Sequence, residues 1–366
     1  MFAIVRVASA LMLFSVAGVG SAASAPISAP TMITTAARNG AVIVRLATET
    51  EGAHIYYTLD GSIPTTASQR YEAPLLIASV LTIKAEAVVD GGTVSSVSSK
   101  VFNIRIAPGT LVWSDEFSNA TGTKAAPDAR VWTYETGHSG FGNHELEDYC
   151  AWGSNLTPCT TASPNAYVGS DSYLHVVAQQ PSAGVYTSAR MTTQGLFSFV
   201  YGRFEIRAKV PEAQGFWPAG WTLGNNIKTV DWPACGEQDV LERINAAKTP
   251  DWNEGSIHGI GFTGDVGLGA KVAFKEGSTA ADWHTYGMIW KKGSVAYYID
   301  DPAHPYVTYT TDDIKKFKDG IWPFDAGQGN FILLNLAIGG DWPGPPSAST
   351  PFPAEMLVDY VRIYAN

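Results

Sequence analysis

The sequence predicts an all-β protein of two successive units, a small β-sandwich followed by a large one, each of two stacked sheets. Three observations carry this. Short runs of alternating apolar and polar residues, punctuated by turn residues, recur along most of the chain. Gly (36) and Pro (21) are frequent while only 16% of residues are charged, which leaves little material for long surface helices. A length of 366 residues exceeds one average domain, and 45% hydrophobic content is enough to bury a core in each of two.

The elements follow in order. Arg6 precedes the apolar run VASALMLFSVAGVG and the small residues SAASA. That run is shorter than the ~20 residues of a membrane span and suits the ~7–15 of an export signal. Residues 1–25 are therefore expected to be a signal peptide cut after Ala23 or Ala25, giving a secreted (extracellular or periplasmic) soluble protein, with a lipid-free anchor as the lesser alternative. APISAPT reads as a linker. In residues 31–105, AVIVRLAT, HIYYTLDGSIP, LTIKAEAVV and SSKVFNIRI alternate with period two, with turns at Asp60-Gly61 and Asp90-Gly91-Gly92. This is the pattern of a small sandwich.

The large unit, residues 108–366, contains YGRFEIRAKVP, which has one apolar and one polar face. FILLNLAIGG is apolar on both faces, as a central strand should be, and VAYYIDDPAHPYVTYT reads as strand, turn, strand. TDDIKKFKDG carries the one helix signal, with Thr311 or Asp312 as cap and Gly320 as stop. Cys150 and Cys159 bracket a short loop and can pair in an oxidising compartment, where such a loop closure stabilises by about 2.5 kcal/mol. Cys235 is left over, as a buried structural thiol or a catalytic one. The net charge of −10 argues against nucleic-acid binding and leaves a neutral polymer open as partner.

Glu237-Gln-Asp-Val-Leu-Glu242 places three carboxylates in six residues, downstream of Trp217, Trp221 and Trp232. On a strand Glu237 and Asp239 share a face and Glu242 points the other way. One inserted residue, a β-bulge, returns Glu242 to their side. Three readings fit the residues: a glycosidase pair of nucleophile and acid/base, a calcium site, or a solvated acidic face. Trp217 and Trp221, four apart, share a strand face; with Trp232 they either stack on sugar rings or pack a core. Arg190 in YTSARM and His258 in GSIHG are further polar candidates.

The string IYYTLDGSIPT resembles the fibronectin-type-III-like module at the C-terminal end of chitobiases, which implies a spacer or a sugar-binding unit. In the large unit, YTSARM, YGRFEIRAKVP, GFWPAGWTLG, WPACGEQDVLE, GSIHG, FILLNLAIGGDWPG and VDYVRIY together resemble the laminarinase-like branch of glycoside hydrolase family 16. The resemblance implies a β-jelly-roll (concanavalin-like) sandwich with a cleft on its concave face, cutting internal β-glucosidic bonds with retention. It assigns Glu237 as nucleophile, Glu242 as acid/base and Asp239 as their partner, in the bulged spacing similar to β-1,3-glucanases. Asn143 and Glu145 in GNHELEDY, with Arg190, Trp217, Trp221, Trp232, His258 and Trp342, match cleft positions. No cofactor is implied for catalysis. A structural calcium is implied at Asp359, with Glu116 and Gly169 as partners.

Two residues depart from the pattern. Gln238 stands where an aliphatic residue is usual and must find hydrogen bonds in the core. Gly220 replaces a bulky residue between two tryptophans, which is expected to loosen the packing behind the cleft. The reading is a monomeric endo-β-1,3-glucanase acting on laminarin-type and mixed-linkage β-glucans. The alternatives are a non-catalytic glucan-binding protein on the same scaffold, or a hydrolase or transglycosylase acting on another polymer such as agarose or carrageenan.

Overall fold

The computed structural model describes residues 26–119, 121–244 and 251–366; the expected signal peptide lies outside them. The described residues form sheets of eleven, ten and four strands. The ten-stranded sheet is centred on Gly202–Lys209 and Ala354–Tyr364, and the eleven-stranded sheet on Phe216–Gly224 and Asn330–Ile338. Between them lies one core in which Phe204, Ile206, Phe216, Leu334, Met356 and Val361 are fully buried. Asn330–Ile338 is buried at all nine positions, which is why its sequence shows no alternation.

The two departures resolve differently. A Cβ on Gly220 would lie 2.4 Å from Ile206 Cδ1 of the opposite sheet. Ile206 fills the volume, so the packing behind this strand is closed and not loosened. Gln238 does point into the core, where its Oε1 accepts from Thr222 Oγ1 at 3.0 Å and Asn330 Nδ2 at 3.1 Å. Its Nε2 meets no hydrogen-bond partner among the described residues, so only part of the polar burial is compensated.

The small unit's strands run from Thr31 to Asn103 and enclose a core of their own, and one of its layers pairs with the large unit. One layer is the four-stranded sheet around Val80–Val88. The other layer, Thr31–Ala36, Val42–Ala47 and Leu75–Ile77, continues the eleven-stranded sheet of the large unit through Ser198–Phe199. A cavity of about 810 Å³ lies along this seam, bordered by Leu59, Val80, Tyr201, Asp325 and Tyr364. None of the acids of the carboxylate strand lines it.

Smaller expectations also meet the structure. VAYYIDDPAHPYVTYT forms strands Ser294–Ile299 and Val307–Thr310, as the pattern indicated. The helix is shorter and starts earlier than expected. It spans only Thr311–Ile314, with Thr310 as its cap in a capping box with Asp313. Cys150 and Cys159 are disulfide-bonded. Cys235 is fully buried beside Leu223, Phe331 and Leu333, and burial pushes its thiol up to about 12, so the structural reading of this residue stands.

Candidate active site

Strand register explains how the acids meet. Leu223 pairs with Glu237, Thr222 with Gln238 and Trp221 with Asp239, whereas the next pairs are Gly220 with Leu241 and Ala219 with Glu242. Val240 is the extra residue, a one-residue bulge. It returns Glu242 to the face of Glu237, Asp239, Trp217 and Trp221, the face turned away from the inter-sheet core. Asn253, fully buried on the adjacent strand, seals the bulge. Its Oδ1 accepts from the Glu242 N–H and its Nδ2 donates to the Val240 carbonyl, both at 3.1 Å. One side-chain amide thus replaces the ladder bonds that the bulge interrupts.

Each acid then has its own partner. Trp232 Nε1 donates to Glu237 Oε2 at 2.8 Å, and Trp217 Nε1 to Glu242 Oε1 at 3.1 Å. Ser256 Oγ donates to Asp239 Oδ2 at 2.7 Å. His258 Nε2 lies 3.2 Å from the same Asp239 oxygen and 3.9 Å from Glu237 Oε1. Asp239 is only 3% exposed, which rules out a solvated acidic face. Burial, and then the charge of Asp239, pushes the Glu242 carboxyl well above the ordinary range, and the same two causes raise Glu237. His258 opposes both rises. Burial disfavours its own charge, but the Asp239 hydrogen bond and the surrounding carboxylates lift it to about 9, which favours the charged imidazole beside these acids. Such a coupled set holds a proton near neutral pH on a group that an isolated carboxyl would have lost.

Aromatic and polar side chains extend the face on both sides. Trp221 Nε1 donates to Asn335 Oδ1 at 2.8 Å, and Asn335 Nδ2 lies 3.3 Å from the Tyr149 hydroxyl. That hydroxyl donates to Glu145 at 2.7 Å, and Asn143 Nδ2 donates to Glu145 at 3.1 Å. The Arg190 guanidinium stacks 4.8 Å from the Trp221 ring and pairs with Glu135. In the other direction Trp342 meets Trp217 edge-on at 5.4 Å and Trp252 at 5.8 Å. Trp232 is 46% exposed, so a flat apolar face is open to solvent beside Glu237.

The chain is similar to known proteins over most of its large unit. The model of glycosyl hydrolases family 16 matches residues 154–353, and that of the chitobiase/beta-hexosaminidase C-terminal domain matches residues 34–99. A beta-glucanase of Rhodothermus marinus is 33% identical over 260 residues, covering 69% of this chain and 84% of that protein. The chain belongs to glycosyl hydrolase family 16. A glucan endo-1,3-beta-glucosidase A1 of Niallia circulans is also 33% identical, over 71% of this chain but only 38% of its own length. Among solved structures, the catalytic domain of an endo-1,3-beta-glucanase (laminarinase) from Thermotoga petrophila superposes with a TM-score of 0.60 at 35% identity. The match covers 70% of this chain and 98% of that one.

The calcium position implied by the resemblance does not fit this family 16 hydrolase. Asp359 is ion-paired with Arg207, which supplies the partner that an acid in an apolar strand requires. Glu116 receives two hydrogen bonds from Arg362, at 3.0 and 2.8 Å, and this pairing holds its carboxyl below the usual range. The Gly169 carbonyl accepts from Asn119 Nδ2 at 3.1 Å. Both acids already face a guanidinium, whose charge repels a second cation. Among the described residues, Glu237, Asp239 and His258 form the cluster whose donor atoms approach within 4.8 Å of one another. With an imidazolium in the set, it does not suit a hard cation such as calcium either.

Several residues around the candidate site do not stand out in the sequence. Ser256 shares a face with His258 by period two in WNEGSIH, a pattern that points to it once His258 is a candidate. Asn335 is the lone polar residue inside FILLNLAIGG, and its place between Trp221 and Tyr149 explains it. Asn253 gives no usable signal, because its role depends on the bulge in another strand.

Proposed function

We propose that this family 16 hydrolase is a retaining endo-β-1,3-glucanase, with Glu237 as nucleophile and Glu242 as acid/base. The observation that carries the reading is the bulge at Val240, which puts three acids on one face beside the exposed Trp232. Glu242, its carboxyl raised by burial, protonates the departing glycosidic oxygen while Glu237 attacks the anomeric carbon. Water then enters, Glu242 takes its proton, and the sugar leaves with its configuration retained. Asp239 and His258 hold a compensating hydrogen-bonded pair beneath Glu237, so a proton can redistribute without leaving the site.

The tryptophans fit the apolar C–H faces of a neutral sugar polymer, and the names of the relatives point to β-1,3-glucan among such polymers. Asn143, Glu145, Arg190, Trp221 and Trp342 are assigned to the cleft walls on the same reading. Export is supported by the disulfide, a bond that persists in oxidising compartments. Among the described residues, no helix is long and apolar enough to cross a membrane.

The test is reducing-end release from a soluble β-1,3-glucan by wild type and by Glu237→Gln. Release by wild type alone is the expected result. Equal release by the variant would remove Glu237 from the mechanism, and silence from both would withdraw the substrate.

A further inference from the structure

The small N-terminal unit reaches the candidate nucleophile through a continuous series of buried contacts. Its strand Leu75–Ile77 pairs with Ser198–Phe199, at Ser198 with Leu75 and Phe199 with Leu76. Ser198 fastens the join twice, its N–H and its hydroxyl both donating to the Pro74 carbonyl, at 2.9 and 3.0 Å. Leu75 belongs to the small unit's core, and its neighbour Leu76 to the large unit's. This strand is therefore a wall common to both cores, not a tether.

From that base Tyr57, 2% exposed, reaches across the seam. Its hydroxyl lies 3.0 Å from the carbonyl oxygens of both Gly327 and Gln328, sharing one proton between them. The Gln328 side chain, also 2% exposed, carries the contact onward. Its Nε2 donates to the Pro323 carbonyl at 3.1 Å and to the Cys235 carbonyl at 3.3 Å. Cys235 stands two residues before Glu237. Gly236 between them has φ +81°, and a Cβ there would lie 2.7 Å from Pro323 Cγ. The 323–328 segment thus presses directly on the peptide that leads into Glu237, at a glycine where the backbone has most freedom.

We propose that Tyr57 and Gln328 are positioning residues for Glu237, and that the small unit is a working part of the hydrolytic apparatus. Both side chains are buried, so neither contacts the polymer; they act by fixing the backbone that aims the nucleophile. The inference rests on the assignment of Glu237 made above. A nucleophile must sit within a few tenths of an ångström of its line of attack, and displacement by about 1 Å costs on the order of 10²-fold in rate.

The experiment compares Tyr57→Phe and Gln328→Met with Ile83→Val in the full chain, at temperatures where circular dichroism shows each fully folded. Ile83 shares the small unit's core with Tyr57 but takes part in none of the hydrogen bonds that lead to Cys235. In both positioning variants, kcat on soluble β-1,3-glucan is expected to fall about tenfold with KM within about twofold, and the acid limb of the pH profile to move. Ile83→Val is expected to lower Tm while leaving kcat and the profile as in wild type. Wild-type kcat and pH profile in both positioning variants would overturn the proposal, as would an equal loss in Ile83→Val. If Tyr57→Phe does not fold, Gln328→Met decides the positioning of Glu237. Ser198→Ala, which removes the hydroxyl bond to Pro74 at the seam, then decides whether the small unit contributes: wild-type kcat in that variant would overturn that part. Glu237→Gln is read separately: turnover by that variant removes the nucleophile assignment whatever the positioning variants show.

Discussion

Among the described residues two one-residue bulges present an acid, and they have opposite outcomes. On the ten-stranded sheet, Arg207 pairs with Tyr360 and Ala208 with Val358, so Asp359 is the extra residue. On the other sheet, Val240 is the extra residue and Glu242 is re-aimed beside Glu237 and Asp239. Asp359 meets a guanidinium, and the pair is a half-exposed ion pair of ordinary kind. Glu237 and Glu242 accept from indole N–H groups, and the nearby His258, itself bound to Asp239, lowers both carboxyls without offsetting their burial. Burial therefore raises both carboxyls, and one can give up a proton near neutral pH. The backbone device is the same; the partner decides whether an acid is a structural brace or a chemical group.

The contrast breaks first at Glu242. Glu242→Gln should lower kcat on unactivated glucan by about 10²–10⁴-fold. Its stability effect has a definite sign. A carboxyl whose folded pKa is raised destabilises the native state as pH climbs above the unfolded value, so removing it should raise Tm at pH 7 and leave Tm unchanged at pH 3. Loss of activity together with loss of stability at pH 7 would contradict that account.

Asn253→Ala opens the seal of the bulge and leaves the Val240 carbonyl and the Glu242 N–H without their partner. Denaturant unfolding should show a loss of about 2–4 kcal/mol, accompanied by a fall in kcat measured on fully folded protein. A loss of stability with unchanged kcat would show that the bulge holds its aim without the seal.

His258→Asn is a subtler probe. The imidazolium lowers the Glu237 carboxyl, so its removal should move the acid limb of the pH–activity profile to higher pH. An acid limb that stays in place would detach His258 from Glu237. At the small end, Asp359→Asn should cost about 0–1 kcal/mol, as expected of a half-exposed pair, and leave kcat unaltered. A chelator should not change Tm in either protein, and a large chelator effect would restore the calcium reading.

Much of this contrast is legible in the amino-acid sequence. The E-x-D-x-x-E spacing demands an inserted residue if the acids are to share a face, and Val240 supplies it. The apolar run FILLNLAIGG announces the central strand. What the sequence hides is mostly partnership across distance. Arg207 lies 152 residues from Asp359, so nothing local shows that it, and not calcium, meets that acid. Ile206 fills the space over Gly220 from the opposite sheet, a packing fact that no single strand encodes. The seam is hidden for the same reason. Ser198–Phe199 and Leu75–Ile77 are ordinary short strands until they are found side by side, and only then does the small unit become continuous with the site. The helix falls short because TDDIKKFKDG has a strong start and few apolar residues to hold further turns.

The measurement that addresses the central claim most directly is covalent trapping. Glu242→Gln is incubated with a 2-deoxy-2-fluoro β-glucosyl donor of a short β-1,3-linked oligosaccharide bearing an activated leaving group, which needs no acid. Peptide mass mapping then locates the label. The account predicts one fluorosugar attached through an ester to Glu237. A label on another residue, or turnover to product of inverted configuration with no label, would contradict it.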